Sequence, residues 1–563
     1  MRAYARVSLF LPVLLLTCLG SHQARAADLI LLSDHVLTMR SAKPAAEALA
    51  VVVEGESIRW VGPQADALRL AEPETRIVQL GAQALLPGFI DAHGHISFVG
   101  INTQLANVAS PPVGPARNIP DLQNTLKEYI KRREIPPGEW VVGNGYDDSL
   151  LAEQRHPDAD DLNAVSTEHP ILLIHVSGHL ATTNSRALAR VGINSETKDP
   201  PGGHIRRRPG SQSPNGVLEE NAMMQLRQYM MAPIKDPVAA FSEGLSQYAR
   251  NGITTAQDGA ANAQVINLML AADQAGQVPI DVVAYPFGQL EEMRIAQQWT
   301  YGEYTGRIKV GGVKLMLDGS PQGKTAYLRK PYYRPPHGQG QDYRGYPNIA
   351  QLRTTQLVKF YLDRRIPVIA HANGDAAADM LIEAVAQAAP ENDHRTVMIH
   401  AQTVRDDQLD RMVQLGMIPS FFSAHTFFWG DWHRDSVFGI ERASRISPTA
   451  SAERRGLPFT IHNDAPIVPP DMLRLLWATT NRQTRSGKIL GAAQQVSVYS
   501  ALRAITVHAA HQNFEEQIKG QLIPGMQADL VVLSKNPLDT PIEDLKDLQI
   551  IKTFSRGREV FAL

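Results

Sequence analysis

The 563-residue sequence is almost without cysteine, carrying a single thiol at Cys18. That excludes a disulfide scaffold and any cysteine-built zinc or iron–sulfur site, so a bound metal would rely on His, Asp, Glu or a modified Lys. An excess of one charge is also missing. Lys and Arg total 55 against 57 acidic residues, a formal net charge of −2, and a nucleic-acid partner normally demands a basic stripe. No apolar run reaches the ~20 residues that span a bilayer, so no stable membrane anchor is expected. No G-x-G-x-x-G follows an early strand, which weakens an open dinucleotide-binding sheet. What the chain does have is 18 histidines and 44% apolar residues, ample for a large core. At ~100–200 residues per domain the length allows three ordinary domains, or one large barrel with a smaller partner.

The first 26 residues read as an address rather than fold. Arg2 and Arg6 precede an apolar run from Val7 to Leu19, and Ala24-Arg25-Ala26 closes it. That is the layout of a cleaved secretory signal, residues 1–26. Cleavage there removes three arginines and no acid, leaving a more acidic chain, and takes away the only cysteine. A cysteine-free secreted protein suits an oxidising compartment such as a periplasm.

Both ends of the remaining chain are rich in short strands. DLILLSDHVLTM and EALAVVVEGESIRWVGP open it; GQLIPGMQADLVVLSKNPL and QIIKTFSRGREVFAL close it. Residues 27–84 and 514–563 are therefore expected to pair into one small β-domain, a sandwich. The middle, 85–513, is rhythmic. Eight apolar runs end in polar or small residues, at 84–95, 252–259, 280–286, 313–320, 366–375, 396–402, 417–425 and 457–466, with helix-like spacers such as DDQLDRMVQLG between them. Strands alternating with helices imply a parallel sheet. Eight units point to an α/β fold of the closed (β/α)8 TIM-like kind. About 150 residues, 100–250, interrupt the rhythm after the first strand. A stretch of that length must carry structure of its own, and it reads as an inserted lid over the barrel mouth.

Catalytic groups of such a barrel gather at the C-terminal strand ends. Those ends carry His93 and His95, Lys314, His371, His400, His425 and Asp464. Residues two apart in a strand point the same way, so His93-Gly94-His95 aims two imidazoles at one point. Taken singly, His371 and His400 read as core histidines; as the ends of two successive strands they read as a pair. Asp464 alone reads equally as a turn residue. Lys314 lies inside the apolar run VKLML, where an unpaired ammonium costs several kcal/mol and requires a partner, a depressed pKa or chemical modification.

In order along the chain, PGFIDAHGH, GITT, VKLMLDGS, HANGD, VMIHAQ, NDAP and IPGMQADLVVLSKNP resemble the amidohydrolase superfamily. Within it they resemble the branch that contains N-substituted formamide deformylases. The resemblance implies a barrel with a β-sandwich built from both chain ends, and metal-dependent hydrolysis of a non-peptide C–N bond in a small-molecule substrate. It further implies that His93 and His95 hold the more buried metal and that His371 and His400 hold a second. Lys314, carboxylated on Nζ (N6-carboxylysine), would bridge the two ions, and Asp464 would bind metal and serve as general base. Zinc is the ion favoured by His and carboxylate ligands, with manganese, iron or nickel as alternatives. The metal count, one or two, is left open, because Asp318 and Ser320 follow Lys314 closely and an unmodified lysine with one ion is the alternative. His462-Asn463 before Asp464 departs from the small residues of many relatives.

Further residues are weaker candidates. His179, in SGHLATTNSRAL, and His425, in SAHTFFWGDWH, are expected to touch substrate. Asp91 is expected to orient a ligand histidine, and Asp258 is a lesser candidate. The basic tract His204–Arg208 reads as a solvated loop or as a site for an acidic substrate. The alternative reactions are lactone, ester or phosphoester hydrolysis at the same site; the alternative class is an inactive periplasmic binding or regulatory protein. Composition leaves the oligomeric state open, a homo-oligomer included.

Overall fold

The computed structural model describes residues 27–563 except 179, 201–202, 337 and 390. The signal expected over residues 1–26 and the candidate His179 lie outside the described residues.

The two chain ends meet in one seven-stranded sheet. Its order is 558–562, 550–555, 530–533, 76–87, 29–36, 47–54 and 57–62. Only Leu29–Val36 and Arg76–Pro87 run parallel; the other neighbours are antiparallel. Alternate side chains go to opposite faces. Leu29 and Leu31 join a cluster with Val51, Leu530 and Phe554, while Ile30 and Leu32 join Ala50 and Val52. The strand Arg76–Pro87 corrects one expectation. Ala84–Pro87 pairs with Leu530–Leu533 in this sheet, so the apolar run at 84–95 is divided, with only its later part entering the central strands.

Eight parallel strands form the middle. They are β1 (Phe89–Ile90), β2 (Ile253–Ala261), β3 (Asp281–Pro286), β4 (Ile308–Val310 and Val313–Met316), β5 (Val368–Ala372), β6 (Val397–His400), β7 (Ile418–Phe421) and β8 (Thr460–Ile461). Each pairs in parallel with the next. The break in β4 falls at Gly311-Gly312, after which Lys314 bridges to Phe287 beyond β3. Beyond β8 and β1 the chain is tied across the remaining gap, where Asp464 N donates to His93 O at 3.1 Å and His95 N donates to Ala465 O at 2.7 Å. The strands are nearly all buried, with no polar–apolar alternation, as expected of parallel strands covered on both sides.

The connection from β1 to β2 holds a six-stranded sheet in the order 203–207, 214–220, 180–183, 171–175, 141–146 and 106–107. Helix Ile119–Arg132 packs on it because Leu122, Leu126 and Tyr129 share one face, and Asn118 caps it by accepting from Asp121 N. Among the described residues no helix is long and apolar enough to cross a membrane.

Below the strands, at the ends away from the histidines, the last fifty residues are pinned by buried charge. Asp281 at the start of β3 is fully buried and meets Lys519 at 2.6 Å, Arg307 at 3.2 Å and Arg556 at 3.0 Å. Lys309 meets Glu515 at 2.5 Å. Buried charges of this kind persist only when paired and hydrogen-bonded.

Candidate metal centre

The turn after β1 carries His93-Gly94-His95. A side chain at Gly94 would fall 2.6 Å from Asp91 Oδ2 and 2.7 Å from the Tyr248 hydroxyl, so glycine lets the two histidines crowd together. Their ring centroids are 5.2 Å apart. Gln257 on β2 fixes the first ring. Its Nε2 donates to Ala92 O at 2.7 Å, which turns Oε1 towards His93 Nδ1, also at 2.7 Å. Nδ1 must then carry the proton, and Nε2 presents its lone pair to the interior. That Nε2 lies 2.9 Å from Lys314 Nζ and 3.5 Å from Asp464 Oδ1. His95 Nε2 lies 3.2 Å from the same Asp464 oxygen.

Lys314 is buried and makes no ion pair among the described residues. Burial pushes its ammonium down to about 7, against the opposing charge of Asp464, so much of it is neutral amine at neutral pH. Asp318, four residues on, is occupied elsewhere. It accepts the backbone N–H groups of Asn373, Gly374 and Tyr327 at 2.8–3.0 Å, which holds the turn after β5, and burial pushes it up to about 7.

His371 and His400 meet across β5 and β6, with Nδ1 and Nε2 3.1 Å apart. His371 Nε2 lies 3.1 Å from Gly319 O and 2.9 Å from Asn373 Nδ2. His400 Nδ1 lies 3.2 Å from His462 Nε2, and His462 Nδ1 lies 2.9 Å from Ser420 Oγ. Burial drives the imidazoliums of His93, His400 and His462 well below the ordinary range, with neighbouring positive groups adding to it. All three are therefore neutral rings, the form that binds metal. Two of these groups sit on strained backbone: His400 at φ +71° and Asp464 at φ +53°. A non-glycine residue there costs about 1–3 kcal/mol and persists where surroundings impose it, often at functional sites.

The donor set fits a metal. His93, His400 and Asp464 each offer an atom within 4.8 Å of the others. Among the described residues the buried Asp464 Oδ1 and His95 Nδ1 have no hydrogen-bond partner, and a buried polar atom left unpaired is costly. Ligands ~2.0–2.1 Å from a tetrahedral ion lie roughly 3.3 Å from one another. The separations of 3.1, 3.2 and 3.5 Å between His371 and His400, His95 and Asp464, and His93 and Asp464 are of that size.

The sequence pattern of the amidohydrolase family matches residues 76–561. The chain belongs to the amidohydrolase family. This amidohydrolase is similar to an N-substituted formamide deformylase of Arthrobacter pascens, with 26% identity over 94% of this chain and 97% of the relative. It is similar as well to the putative amidohydrolase YtcJ of Bacillus subtilis, with 25% identity over 91% and 96%. Its fold matches an uncharacterized metal-dependent hydrolase from Pyrococcus horikoshii at a TM-score of 0.72, with 21% identity over 92% of this chain and 99% of the other. A second such hydrolase, from Pyrococcus furiosus, matches at 0.70, with 22% identity over 91% and 100%. The protein is thus a member of the amidohydrolase family with an α/β fold.

Other expected residues of the amidohydrolase fall differently. His425 does not end β7; it begins the helix His425–Trp432. Its Nδ1 lies 3.0 Å from His433 Nε2, and Phe422 stands between its ring and those of His400 and His462. Asp91 is buried beside Tyr248 and pushed up to about 7 by burial, but the acceptor that orients His93 is Gln257. Asp258 accepts from Ser97 N at 3.0 Å and caps the helix that follows the H-x-H turn. The basic tract is neutralised internally. Arg206 pairs with Glu219, Arg208 with Asp160, and His204 and Arg207 with Asp199.

Sequence reasoning noticed His462 only as a departure, although it lies two residues before Asp464. It missed a second cluster, in the insertion. His175 Nε2 meets Asp148 Oδ1 at 3.0 Å and His156 Nε2 lies 3.5 Å from Asp148 Oδ2. Neighbouring Asp147 accepts from Ser149 and, across the molecule, from Trp429 Nε1 at 3.1 Å.

Proposed function

We propose that this enzyme hydrolyses the C–N bond of a small N-formyl, N-acyl or other non-peptide amide. The observation that carries the reading is the convergence of His93, His95, Lys314, His371, His400 and Asp464 from the ends of five strands, with a buried Asp464 oxygen left unpaired. The hydrogen bonds that tie the chain just beyond the first and last strands support a closed (β/α)8 barrel for the eight strands. The apolar clusters on opposite faces of the terminal sheet support a sandwich-like terminal domain.

In this reading His93, His95, His371, His400 and Asp464 hold one or two divalent ions, zinc by preference. Bound there, such an ion supplies Lewis acidity that polarises a carbonyl and acidifies water. Asp464 takes a proton from the attacking water at its free oxygen and passes it to the leaving nitrogen, so that an amine departs. Lys314 is poised for carboxylation: its neutral amine attacks carbon dioxide, an N–C bond forms, one proton leaves, and the product is an anionic N6-carboxylysine. The depressed lysine supports this, since only the free amine reacts. Neutral imidazoles beside it remove the need to expel protons when metal binds. Secretion through the amino-terminal signal, to a periplasm, is part of the proposal.

The test is metal analysis together with hydrolysis of N-formyl and N-acyl amines against matched esters, for wild type, His93→Ala and Asp464→Asn. Amide hydrolysis lost in both variants is expected. Unchanged metal content and activity in both would sink the reading, and a preference for esters would transfer it to ester hydrolysis.

A further inference from the structure

The connection between β1 and β2 is a body with its own core. Its two apolar clusters, one around Leu172, Leu188 and Leu218 and one around Val108, Leu122 and Val141, draw only on residues 101–234. The helices on either side of it, Ile96–Asn102 and Pro237–Arg250, belong instead to the main core through Ile96, Val99, Phe241 and Leu245. They press together so closely that a Cβ at Gly100 would fall 2.3 Å from Ala240 O. The chain therefore enters the insertion and leaves it at neighbouring points, just after Asn102 and just before Pro237. Beyond these crossings the insertion is lightly held. Among the described residues, two hydrogen bonds and no ion pair join residues 103–236 to the chain beyond Gly252: Trp429 Nε1 donates to Asp147 Oδ2 at 3.1 Å, and Arg485 Nη1 donates to Pro111 O. Arg485 Nε also donates to Phe428 O at 3.1 Å, so its guanidinium spans the seam. Val113 and Val176 add apolar contact with the main core. Bodies of one chain joined this lightly move relative to each other by default.

The contact at Asp147 is built in advance. Asp147 Oδ1 accepts from Ser149 N and Oγ at 3.0 and 2.6 Å, which turns Oδ2 towards the indole. Asp148 beside it is held by His175 at 3.0 Å, so the turn that carries Asp147 is rigid. Asp147 and Trp429 are both buried. A short row of rings links this contact to the strand ends: Trp429 stands 4.7 Å from His425, His425 4.4 Å from Phe422, and Phe422 5.4 Å from His462. With the contact made, the strand-end cluster is nearly covered. The side chains of His95, Asp464 and His371 keep 21%, 13% and 12% of their surface exposed, and that of His93 keeps 1%. We propose that residues 103–236 are a lid that swings at its two crossings, and that the Asp147–Trp429 bond is the latch whose release widens the way to the strand ends. A hydrogen bond to a charged acceptor is among the stronger kinds. It is also a single bond, so one substitution resets the balance between closed and open.

The experiment places Glu128→Cys on the insertion and Gln356→Cys on the helix after β4, both exposed, in a Cys18→Ser background. Double electron–electron resonance then measures the distance between attached spin labels, with thermal melting of each variant as the check on folding. The otherwise unaltered chain should give one main distance. Trp429→Phe keeps a ring and loses the donor, and should raise the population at a second distance about 10- to 100-fold. Asp147→Asn leaves one oxygen for the donors of Ser149 and Trp429, and Arg485→Lys can reach only one of the two carbonyls; both should shift the balance the same way. A chelator should strip zinc from Trp429→Phe faster than from the unaltered chain by a similar factor. Unchanged distances in all three variants, or a second distance without faster stripping, would overturn the proposal. If Trp429→Phe does not fold, Asp147→Asn and Arg485→Lys decide. The zinc arm rests on the reading of the strand ends as a metal centre; an unaltered chain that binds no zinc is a failure of that reading, and the distances still test the lid.

Discussion

In the insertion, Asp147, Asp148, His156 and His175 lie together, and their polar atoms are taken up by one another, by Ser149, Ser177, Tyr146 and by Trp429. At the ends of the central strands a comparable number of histidines and acids lie together, yet among the described residues Asp464 Oδ1 and His95 Nδ1 make no hydrogen bond and Lys314 makes no ion pair. Both clusters are rich in imidazole and carboxylate, and both satisfy the proximity that metal ligands need. What separates them is whether hydrogen bonding is complete. A completed network rigidifies; an incomplete one in a buried place is tolerated where something else fills the valences.

The comparison can be broken most directly at its open end. Asp464→Asn removes the proposed base while keeping size, and hydrolysis should fall by about 10²–10⁴-fold with melting nearly unchanged; steady-state kinetics and circular dichroism check both halves. Lys314→Met comes next. It should lower metal content at least about tenfold while leaving the metal-free protein as stable as wild type or more so, because a buried group whose charged form is penalised has been replaced by an apolar one. Metal analysis and denaturant unfolding report the two quantities separately. At the closed end, Asp148→Asn should do the reverse, lowering stability by about 1–3 kcal/mol with metal content unaltered. The smallest effect concerns acid. Burial holds His156 down to about 3, with the Asp148 charge opposing, so the unfolded chain takes up a proton there before the folded one does. Its contribution to stability is complete above pH ~6.5 and is lost as pH falls towards 3, by about 1 kcal/mol for the first pH unit. Urea midpoints at pH 7.5, 6.5 and 5.5 should decline in that order, and less steeply in His156→Gln.

Much of the strand-end cluster was legible because it is written locally. The ligand candidates lie in or just after apolar strands, and the H-x-H spacing sets two rings on one side whatever the rest of the chain does. The roles of Gln257 and His462 were not legible, since each acts on a partner more than sixty positions away. Asp147 could not be read for the same reason: its Trp429 partner is 282 residues distant. Leu85–Pro87 were placed on the wrong side of a boundary because an apolar run declares burial without declaring which sheet it will join. His425 looked like a strand end because β7 stops four residues earlier than its apolar character does. The basic tract His204–Arg208 looked available only because the acids that neutralise it come from other strands and turns.

The ion pairs beneath the strands bear on timing. Asp281 reaches its buried partners only when Lys519 and Arg556 have been made, and Arg76–Pro87 gains its second neighbour only when Leu530–Leu533 has. A growing chain therefore has Arg307 alone to match that buried carboxylate until Lys519 and Arg556 have been made. Contacts of such long range are slow to form, and here they join Ala84–Pro87 to Leu530–Leu533. A break in the chain before Arg556 would therefore cost the floor of the main core a buried partner of Asp281, and not only an edge strand.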